Sequence, residues 1–326
     1  MTHARIVGLG AHLPERRVTN ADLEQMVDTS DEWITTRTGI SERRFVAEGE
    51  NTSDLAAKAG LAALADANLT AEDVDMMVLA TSSPEMLFPS TSCLTQEKMG
   101  LTCPAVDVMA ACTGFIYALH SATTAIESGR ARTVLVIGAD AISRLLDMGD
   151  RSTCVIFGDG AGALVLQAAD EPGVLGIDLG AQGSGSDLLE VRLGSACTPT
   201  PESCQAGEHY LRMAGSEVFK FAVRIIPASI ERALAASRLT AEDLEWVVPH
   251  QANQRIMDTI GERLGIPNER VFSNIARVGN TSAASIPLAM TEMYTGGKIQ
   301  QGDVLALVGF GAGLTWGAAI VRWTKE

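Results

Sequence analysis

A cysteine at the start of a predicted helix is the first group in this sequence that could do chemistry. Cys112 stands where an apolar run from Asp107 changes to a helical pattern that extends to Ile126. The first N–H groups of a helix lack partners and favour an anion, so we expect a lowered thiol pKa and a nucleophilic thiolate there. The alternative is a small core residue, since free cysteine is among the most buried residue types.

A histidine and an asparagine in the second half of the chain could support such a nucleophile. His250 follows the apolar run 247–249, so we expect it at the carboxyl end of a strand, where open α/β sheets bind ligands. Asn280 lies in Gly279–Ser285, the small-residue run, which lets other groups approach closely. A cysteine, a histidine and an asparagine that converge on one site fit an activated nucleophile with supporting donors. A lone histidine is more often structural, so the fold must bring the three together.

An internal repeat predicts how that happens. Leu69–Asp75 recurs 170 residues later as Leu239–Glu245, and each copy follows an alanine-rich helical pattern and precedes a short apolar strand. A repeat of this length predicts a pseudo-symmetric pair of domains. The predicted halves are residues 1–170, which carry the cysteine, and residues 171–326, which carry the histidine and the asparagine.

A second part of the repeat pairs the two helix starts. Glu127–Gly129 and Thr295–Gly297 are 168 residues apart, and the same spacing aligns Cys112 with Asn280. A pseudo-two-fold axis that brought these positions together would place a thiol and an amide in one pocket. The alternation of helical and strand patterns predicts two βαβα halves with mostly parallel sheets and helices on their faces.

Three local patterns carry further expectations. Asn20 to Val27 predicts a short helix capped by the asparagine, and residues 29–40 predict an irregular segment that binds a ligand or forms a structural loop. Gly158–Gly162 nearly matches a dinucleotide fingerprint, but a β-branched run follows it instead of a helix. We therefore interpret residues 155–167 as strand, turn and strand.

Composition excludes several classes of function. The net charge of −15 over 326 residues argues against nucleic acid as the main partner, because phosphate binding needs a basic face. Six dispersed cysteines suit reduced thiols in a cytoplasmic protein, and without Cys-x-x-Cys or His-x-x-x-His pairs no metal site is expected. We also expect no signal peptide and no membrane span, since no stretch reaches about 18 apolar residues.

Four motifs together resemble β-ketoacyl-acyl-carrier-protein synthase type III, the condensing enzyme that starts bacterial fatty-acid synthesis, in the thiolase-like superfamily. The similarity runs essentially from end to end, and the motifs are Ala111–Phe115, His250–Ile256, Gly279–Ser285 and Gly309–Gly317. The resemblance implies a thiolase-like fold with αβαβα layering. Asn280 indicates the subclass, because the elongating synthases of similar fold use a second histidine there.

The resemblance implies a two-step exchange without a cofactor. Cys112 would take the acyl group of acetyl-CoA or a branched short acyl-CoA, and malonyl-acyl-carrier protein would then lose carbon dioxide and attack it. His250 and Asn280 would stabilise the enolate. Backbone N–H groups of Cys112 and Ala312 would hold the oxyanions, although the family usually has glycine where Ala312 stands.

The resemblance also implies partners and their contact residues. Trp33 would stack on the adenine of coenzyme A, and Arg37 and Arg151 would make polar contacts with it. Phe219 and Asn253 would line the pantetheine tunnel. For the acidic carrier protein the implied contacts are Lys220, Arg224 and Arg255, although the first two would otherwise be an ordinary solvated helix face. A homodimer is implied, with residues 86–88 either reaching the acyl pocket of the partner or forming a local loop.

Two other functions fit the same motifs. A relative working in secondary metabolism, with an unusual acyl-CoA, would use the same three side chains. A non-catalytic interaction protein on this scaffold would not need them.

Overall fold

The fold is known from a computed structural model, which describes residues 2–325. The strands are β1 (His3–His12), β2 (Arg16–Thr19), β3 (Glu42–Phe45), β4 (Met76–Ala80), β5 (Ala105–Val108), β6 (Thr133–Asp140), β7 (Gly160–Ala169), β8 (Val174–Ala181), β9 (Leu189–Glu190), β10 (Arg212–Met213), β11 (Trp246–Pro249), β12 (Val304–Gly311) and β13 (Thr315–Arg322). The helices are α1 (Asn20–Glu24), α2 (Asp31–Thr38), α3 (Thr52–Asp66), α4 (Thr91–Met99), α5 (Gly114–Glu127), α6 (Pro201–Gln205), α7 (Gly215–Ser237), α8 (Gln254–Leu264), α9 (Ile275–Val278) and α10 (Ser285–Thr295).

Two sheets and three helical layers alternate through the molecule. The first sheet has the strand order β1-β7-β6-β4-β5, and the second has the order β11-β12-β13-β8. Helix α3 packs on the outer face of the first sheet and α7 on the outer face of the second, while α5 and α10 lie between the sheets. This is the αβαβα layering that the family resemblance implied.

The sheets are mixed, so the expectation of mostly parallel sheets was wrong. In the first sheet β4 runs parallel to β5 and β6, but β7 is antiparallel to both β1 and β6. In the second sheet only β11 and β12 are parallel. The connection from β12 to β13 is residues 312–314, which is too short for the crossover that a parallel pair requires.

Helix α5 forms the centre of the core because its apolar residues repeat with helical spacing. Phe115, Leu119, Ala122 and Ile126 share one face, and all four are fully buried between the sheets. Burying a side chain of the size of leucine or phenylalanine contributes about 1.5–3 kcal/mol relative to leaving it exposed. The start of α5 is therefore firmly placed.

The sequence repeat corresponds to a structural repeat. Thr70 and Thr240 each cap a single 3-10 turn, and β4 and β11 follow at the same distance. Helices α5 and α10 are each preceded by one 3-10 turn, Ala111–Thr113 and Ser282–Ala284, whose first residues have left-handed φ angles of 48° and 50°. These turns are 171 residues apart, not 168.

The structural spacing corrects the predicted pairing of Cys112 with Asn280. The counterpart of Cys112 is Ala283, and Asn280 precedes that turn. Helix α5 has 14 residues and α10 has 11, so the spacing falls by three between the start and the end of the helices. The sequence motif that gave 168 lies after this length difference.

Three local expectations also change. The cap of α1 is Thr19, whose side chain accepts from the backbone N–H of Asp22. Residues 31–38 form helix α2, capped by Ser30, where an irregular segment was expected. Before β7 the chain turns instead of forming a strand, apart from one bridge between Phe157 and Asn280.

Candidate active site

Cys112 lies in the 3-10 turn between β5 and α5, where the end of β12 packs directly against it. Its exposed fraction is 7%. A Cβ atom on Gly311 would lie 2.7 Å from the backbone nitrogen of Cys112 and 3.1 Å from the Cβ of Ala111. Only glycine allows β12 to approach the turn this closely. Ala111 itself has φ 48°, a left-handed conformation that costs a non-glycine residue about 1–2 kcal/mol.

The environment of Cys112 raises the pKa of its thiol, whereas a lowered pKa was expected. Burial raises the pKa of the Cys112 thiol to about 12, and the charge of Asp140 acts in the same direction. A hydrogen bond with the Ser282 hydroxyl opposes them without reversing the shift. The expectation of a lowered pKa was wrong because desolvation of a buried thiolate outweighs the favourable helix start. The resting nucleophile is therefore a protonated thiol.

His250 is held as a neutral imidazole at the carboxyl end of β11, as its sequence position predicted. Its backbone N–H donates to Val308 at 2.7 Å, and Nδ1 lies 2.7 Å from Oγ of Ser285. Burial lowers the pKa of His250 to about 3. Ser285 Oγ also accepts from the N–H of Gln251 at 3.3 Å, which leaves its hydroxyl proton available to Nδ1. When Ser285 donates to Nδ1, the imidazole proton resides on Nε2, which is then a donor.

Asn280 is buried and fixed at both its backbone and its side chain. Its N–H donates to Ile156 and its carbonyl accepts from Gly158, each at 2.9 Å. Its Oδ1 accepts from the N–H of Ser282, also at 2.9 Å. This bond occupies the oxygen of the amide, so the NH₂ group is the end that can donate to a ligand.

The small-residue run connects the three predicted catalytic side chains. Asn280 belongs to it, and Ser285 bonds His250. The turn that contains Ser282 also packs against the turn that contains Cys112. One segment thus positions a thiol, an imidazole and an amide in a water-poor interior.

A cavity of about 690 Å³ opens at Cys112. Ala312, in the turn between β12 and β13, lines it together with Cys112 and Ser282. Its other walls are mainly apolar and include Met86, Leu87, Met109, Ile142, Leu145, Phe157, Leu189, Val191, Leu193 and Leu211. His250 and Asn280 are not among its lining residues.

Four of the residues expected to contact coenzyme A are linked around α2. The guanidinium groups of Arg37 and Arg151 lie 5.7 Å and 5.1 Å from the centroid of the Trp33 ring. Asn253 donates from Nδ2 to the carbonyl of Arg37 at 3.0 Å, while its Oδ1 caps α8. Both ends of the Asn253 amide therefore have protein partners, which makes it a connector between α2 and α8.

The basic residues expected to meet the carrier protein lie on α7 and α8, which pack together. Lys220 and Arg224 are exposed on α7, and Lys220 pairs with Glu217 at 2.7 Å. Arg255, on α8, lies 5.6 Å from the ring centroid of Phe219, the neighbour of Lys220. The helix contact brings the three cations and Phe219 to one surface.

Sequence reasoning missed four residues of this site. Ser282 and Ser285 were interpreted only as small residues, and Gly311 only as part of a glycine-rich piece. Asp140 ends strand β6, which is apolar from Val134 to Ala139, and is fully buried beside the small-residue run. A lone carboxylate at the carboxyl end of a buried strand was the signal that could have identified it.

Comparison with known proteins gives the family. A model described as 3-oxoacyl-[acyl-carrier-protein] synthase III matches residues 106–183, and a model of the C-terminal part of the same family matches residues 234–323. A β-ketoacyl-[acyl-carrier-protein] synthase III of Clostridioides difficile is 48% identical over 99% of each chain. The chain belongs to this family. The predicted family, and with it the predicted class of condensing acyltransferase, is confirmed.

Solved structures confirm the thiolase-like fold. The crystal structure of 3-oxoacyl-[acyl-carrier-protein] synthase III from Aquifex aeolicus superposes with a TM-score of 0.91 at 45% identity, covering 98% of this chain and 100% of that one. A priming β-ketosynthase from a polyketide biosynthetic pathway gives a TM-score of 0.92 at 34% identity, covering 99% and 96%.

Among residues 2–325, no cluster of three or more His, Cys, Asp or Glu side chains could hold a metal ion. None of the helices described there has the length and apolar character to span a bilayer.

Proposed function

We propose that this chain catalyses the initiating condensation of type II fatty-acid biosynthesis. It transfers a short acyl group from coenzyme A to Cys112 and then joins it to a malonyl unit on acyl-carrier protein, releasing carbon dioxide and a 3-oxoacyl-acyl-carrier protein. The observation that carries the proposal is that the small-residue run contains Asn280, bonds His250 through Ser285, and packs at its 3-10 turn against the turn that contains Cys112.

In the first step the sulfur of Cys112 attacks the thioester carbonyl. The thiol gives up its proton, a tetrahedral intermediate forms, and coenzyme A leaves as the thiol. Backbone N–H groups of Cys112 and Ala312 are the proposed donors to the oxyanion. The alanine at position 312 retains the N–H that a glycine would supply, and its methyl group adds to the wall of the acyl cavity.

In the second step the bond between the malonyl carboxylate and its neighbouring carbon breaks, carbon dioxide leaves, and the electron pair of that bond forms an enolate. The enolate carbon attacks the acyl carbonyl on Cys112, and the cysteine leaves as a thiolate that takes up a proton. Nε2–H of the neutral His250 and the NH₂ group of Asn280 are the proposed donors to the enolate oxygen. Removing one such donor typically costs about 10²–10³ in rate. A neutral histidine suits this role, since a buried imidazolium would be strongly disfavoured here.

The proposed coenzyme A contacts are Trp33, Arg37, Arg151, Phe219 and Asn253. The Trp33 ring and the guanidinium groups of Arg37 and Arg151 beside it offer an aromatic surface and two cations to an adenine nucleotide. Asn253 would act mainly by holding α2 against α8, because both ends of its amide are occupied.

The proposed carrier-protein surface is formed by Lys220, Arg224 and Arg255. On a protein of net charge −15, a local group of cations provides an electrostatically favourable binding surface for an acidic partner. The Glu217 carboxylate neutralises part of this charge, so Arg224 and Arg255 are expected to dominate.

We further propose a cytoplasmic homodimer in which residues 86–88 close the acyl cavity of the partner. Leu87 and Phe88 are 71% and 84% exposed, and Leu87 lines the mouth of the cavity. Two large apolar side chains this exposed beside a substrate cavity indicate that another protein surface covers them, and argue against a local loop exposed to solvent.

The alternative, a synthase of secondary metabolism that loads an unusual acyl-CoA, is less well supported. Its structural representative is 34% identical, whereas the relative named as a synthase III is 48% identical. The mainly apolar cavity accepts either kind of acyl group.

The test is a condensation assay with separate readouts for the two steps. The enzyme is given acetyl-CoA or isobutyryl-CoA, and then malonyl-acyl-carrier protein. We expect His250→Ala and Asn280→Ala to keep acylation within about threefold and to slow condensation at least about 100-fold. An enzyme that acylates but never consumes malonyl-carrier protein would favour the alternative, and equal loss of both steps would contradict the division of roles.

A further inference from the structure

Arg43, on β3, is a fully buried guanidinium group that the proposed mechanism does not use. Its Nη1 donates to the Oδ1 of Asn20 and its Nη2 to the carbonyl of Val155, both at 2.7 Å. Burial lowers the pKa of Arg43 to about 10, so the group is still protonated at neutral pH. Both acceptors are uncharged oxygens, and the neighbouring carboxylate of Glu42 pairs with Arg17 instead. A buried charge without a charged partner destabilises a fold relative to an apolar side chain, so filling the core does not explain this arginine.

The stem of Arg43 packs beside the backbone of Asn280. A Cβ atom on Gly279 would lie 3.1 Å from the Cβ of Arg43, and a Cβ atom on Gly158 would lie 3.0 Å from it. Gly279 directly precedes Asn280, and the N–H of Gly158 donates to the Asn280 carbonyl at 2.9 Å. The arginine therefore touches both segments of backbone that meet at Asn280.

The guanidinium group holds the segment that fixes Asn280. Val155, whose carbonyl it binds, directly precedes Ile156, and the Ile156 carbonyl accepts from the N–H of Asn280 at 2.9 Å. Both backbone hydrogen bonds of Asn280 thus go to residues 155–158. A shift of this segment would move Asn280 with it.

We propose that Arg43 is a positioning residue that holds residues 155–158 where they orient the Asn280 amide for the condensation step. The inference rests on the proposed function, because it uses the role of Asn280 as a donor to the enolate. Cys112 is placed by other elements, the turn before α5 and the end of β12. The acylation step therefore depends much less on Arg43 than the condensation step does.

The test measures both steps in Arg43→Met and Arg43→Lys. Methionine keeps much of the apolar stem but has no donor. We expect Arg43→Met to slow condensation at least about tenfold, because displacements near 1 Å are costly in a catalytic site, and to keep acylation within about threefold. Lysine keeps the charge, but its single nitrogen replaces two that reach separate acceptors. We expect Arg43→Lys to condense at a rate between those of the wild type and Arg43→Met.

Two choices in the acylation assay separate the proposed effect from indirect ones. Acetyl-CoA is the donor, because its small acyl group depends least on the cavity wall at Phe157. The rate is measured at saturating acetyl-CoA. Asn20 also donates to Asp31 of α2, so weaker binding of coenzyme A through that helix would appear in KM and not in the saturated rate.

A matched control and a double variant make the result specific. Arg44 is the next residue on β3, and its Nη1 donates to the carbonyls of Pro14 and Glu15 at 3.4 Å and 3.2 Å. Arg44→Met should leave both steps within about twofold of the wild type. In the Asn280→Ala background, Arg43→Met should slow condensation by less than about twofold further, since the side chain that it positions is already absent.

The wild type and Asn280→Ala, measured alongside, separate two kinds of failure. A wild type that does not condense, or an Asn280→Ala variant that condenses at the wild-type rate, would contradict the proposed function and the inference with it. When those two behave as expected, unchanged condensation in Arg43→Met would overturn the inference alone. Equal slowing of both steps would also overturn it, as would a tenfold further loss in the Asn280→Ala background. If thermal unfolding shows that Arg43→Met is not folded, the ratio of the two rates in Arg43→Lys decides in the same way.

Discussion

Single side chains in this protein have chemical properties that their surroundings set. The types of Cys112, His250 and Asn280, and their places at element ends, were predictable because chemistry depends on side-chain type. Their protonation was not predictable, because the pKa values depend on burial that only the folded chain creates. Desolvation holds the thiol protonated and the imidazole uncharged.

The buried histidine makes stability depend on pH in a defined window. In the unfolded chain His250 takes up a proton below its ordinary pKa of 6.5, whereas the folded protein keeps it neutral down to about pH 3. The unfolded state therefore gains protons as pH falls from 6.5 to 3, and stability is lost at about 1.4 kcal/mol per pH unit. In urea unfolding, the wild type should lose about 2 kcal/mol more than His250→Gln between pH 7 and pH 5. Equal losses would show that His250 is not buried as a neutral group.

At the scale of elements, short turns align the site more than long helices do. The two 3-10 turns before α5 and α10 pack together, and the end of β12 lies on the first of them. Helix periodicity located α5 from the sequence, and the repeat implied a corresponding helix, α10, in the second half. The two helices differ in length by three residues, which shifted the predicted pairing of Cys112. This difference could not be seen in the sequence of either helix.

Close approach at Gly311 gives a prediction at this scale. Gly311→Ala would place a methyl group 2.7 Å from the Cys112 nitrogen, so β12 or the turn must move. We expect acylation of Cys112 to slow at least about tenfold, because displacements near 1 Å are costly in a catalytic site. Gly309→Ala is the matched control, since its methyl group would meet Cys112 and Thr113 at 3.5 Å and 3.6 Å, ordinary contact distances. Stopped-flow acylation by acetyl-CoA measures both, and equal rates in the two variants would refute the argument.

At the scale of the whole molecule, two similar halves form one core. The repeat of Leu69–Asp75 in Leu239–Glu245 predicted the pseudo-symmetry, and the layering followed from the family resemblance. The mixed sheets were not foreseen, because strand direction depends on connections such as residues 312–314, whose hairpin geometry does not show in hydrophobic patterns. The division at residue 170 stays a prediction.

Association of two chains is the prediction at this scale. Phe88→Asp places a charge on the most exposed large apolar side chain of the 86–88 segment. We expect sedimentation velocity to show the mass of two chains for the wild type and a shift toward one chain for the variant, because a buried unpaired charge opposes the interface. Lys220→Glu, on the proposed carrier-protein surface, is the control and should leave the mass unchanged. A wild type that sediments as a single chain would contradict the proposed dimer.

The central claim is that Cys112 carries the acyl group. The direct test is intact-mass spectrometry and peptide mapping after the protein is mixed with acetyl-CoA or isobutyryl-CoA. We predict one acyl group per chain, mapped to Cys112, none on Cys112→Ala, and a persistent acyl-enzyme in Asn280→Ala after malonyl-carrier protein is added. An acyl group trapped on any other cysteine, or undiminished acylation of Cys112→Ala, would contradict the account.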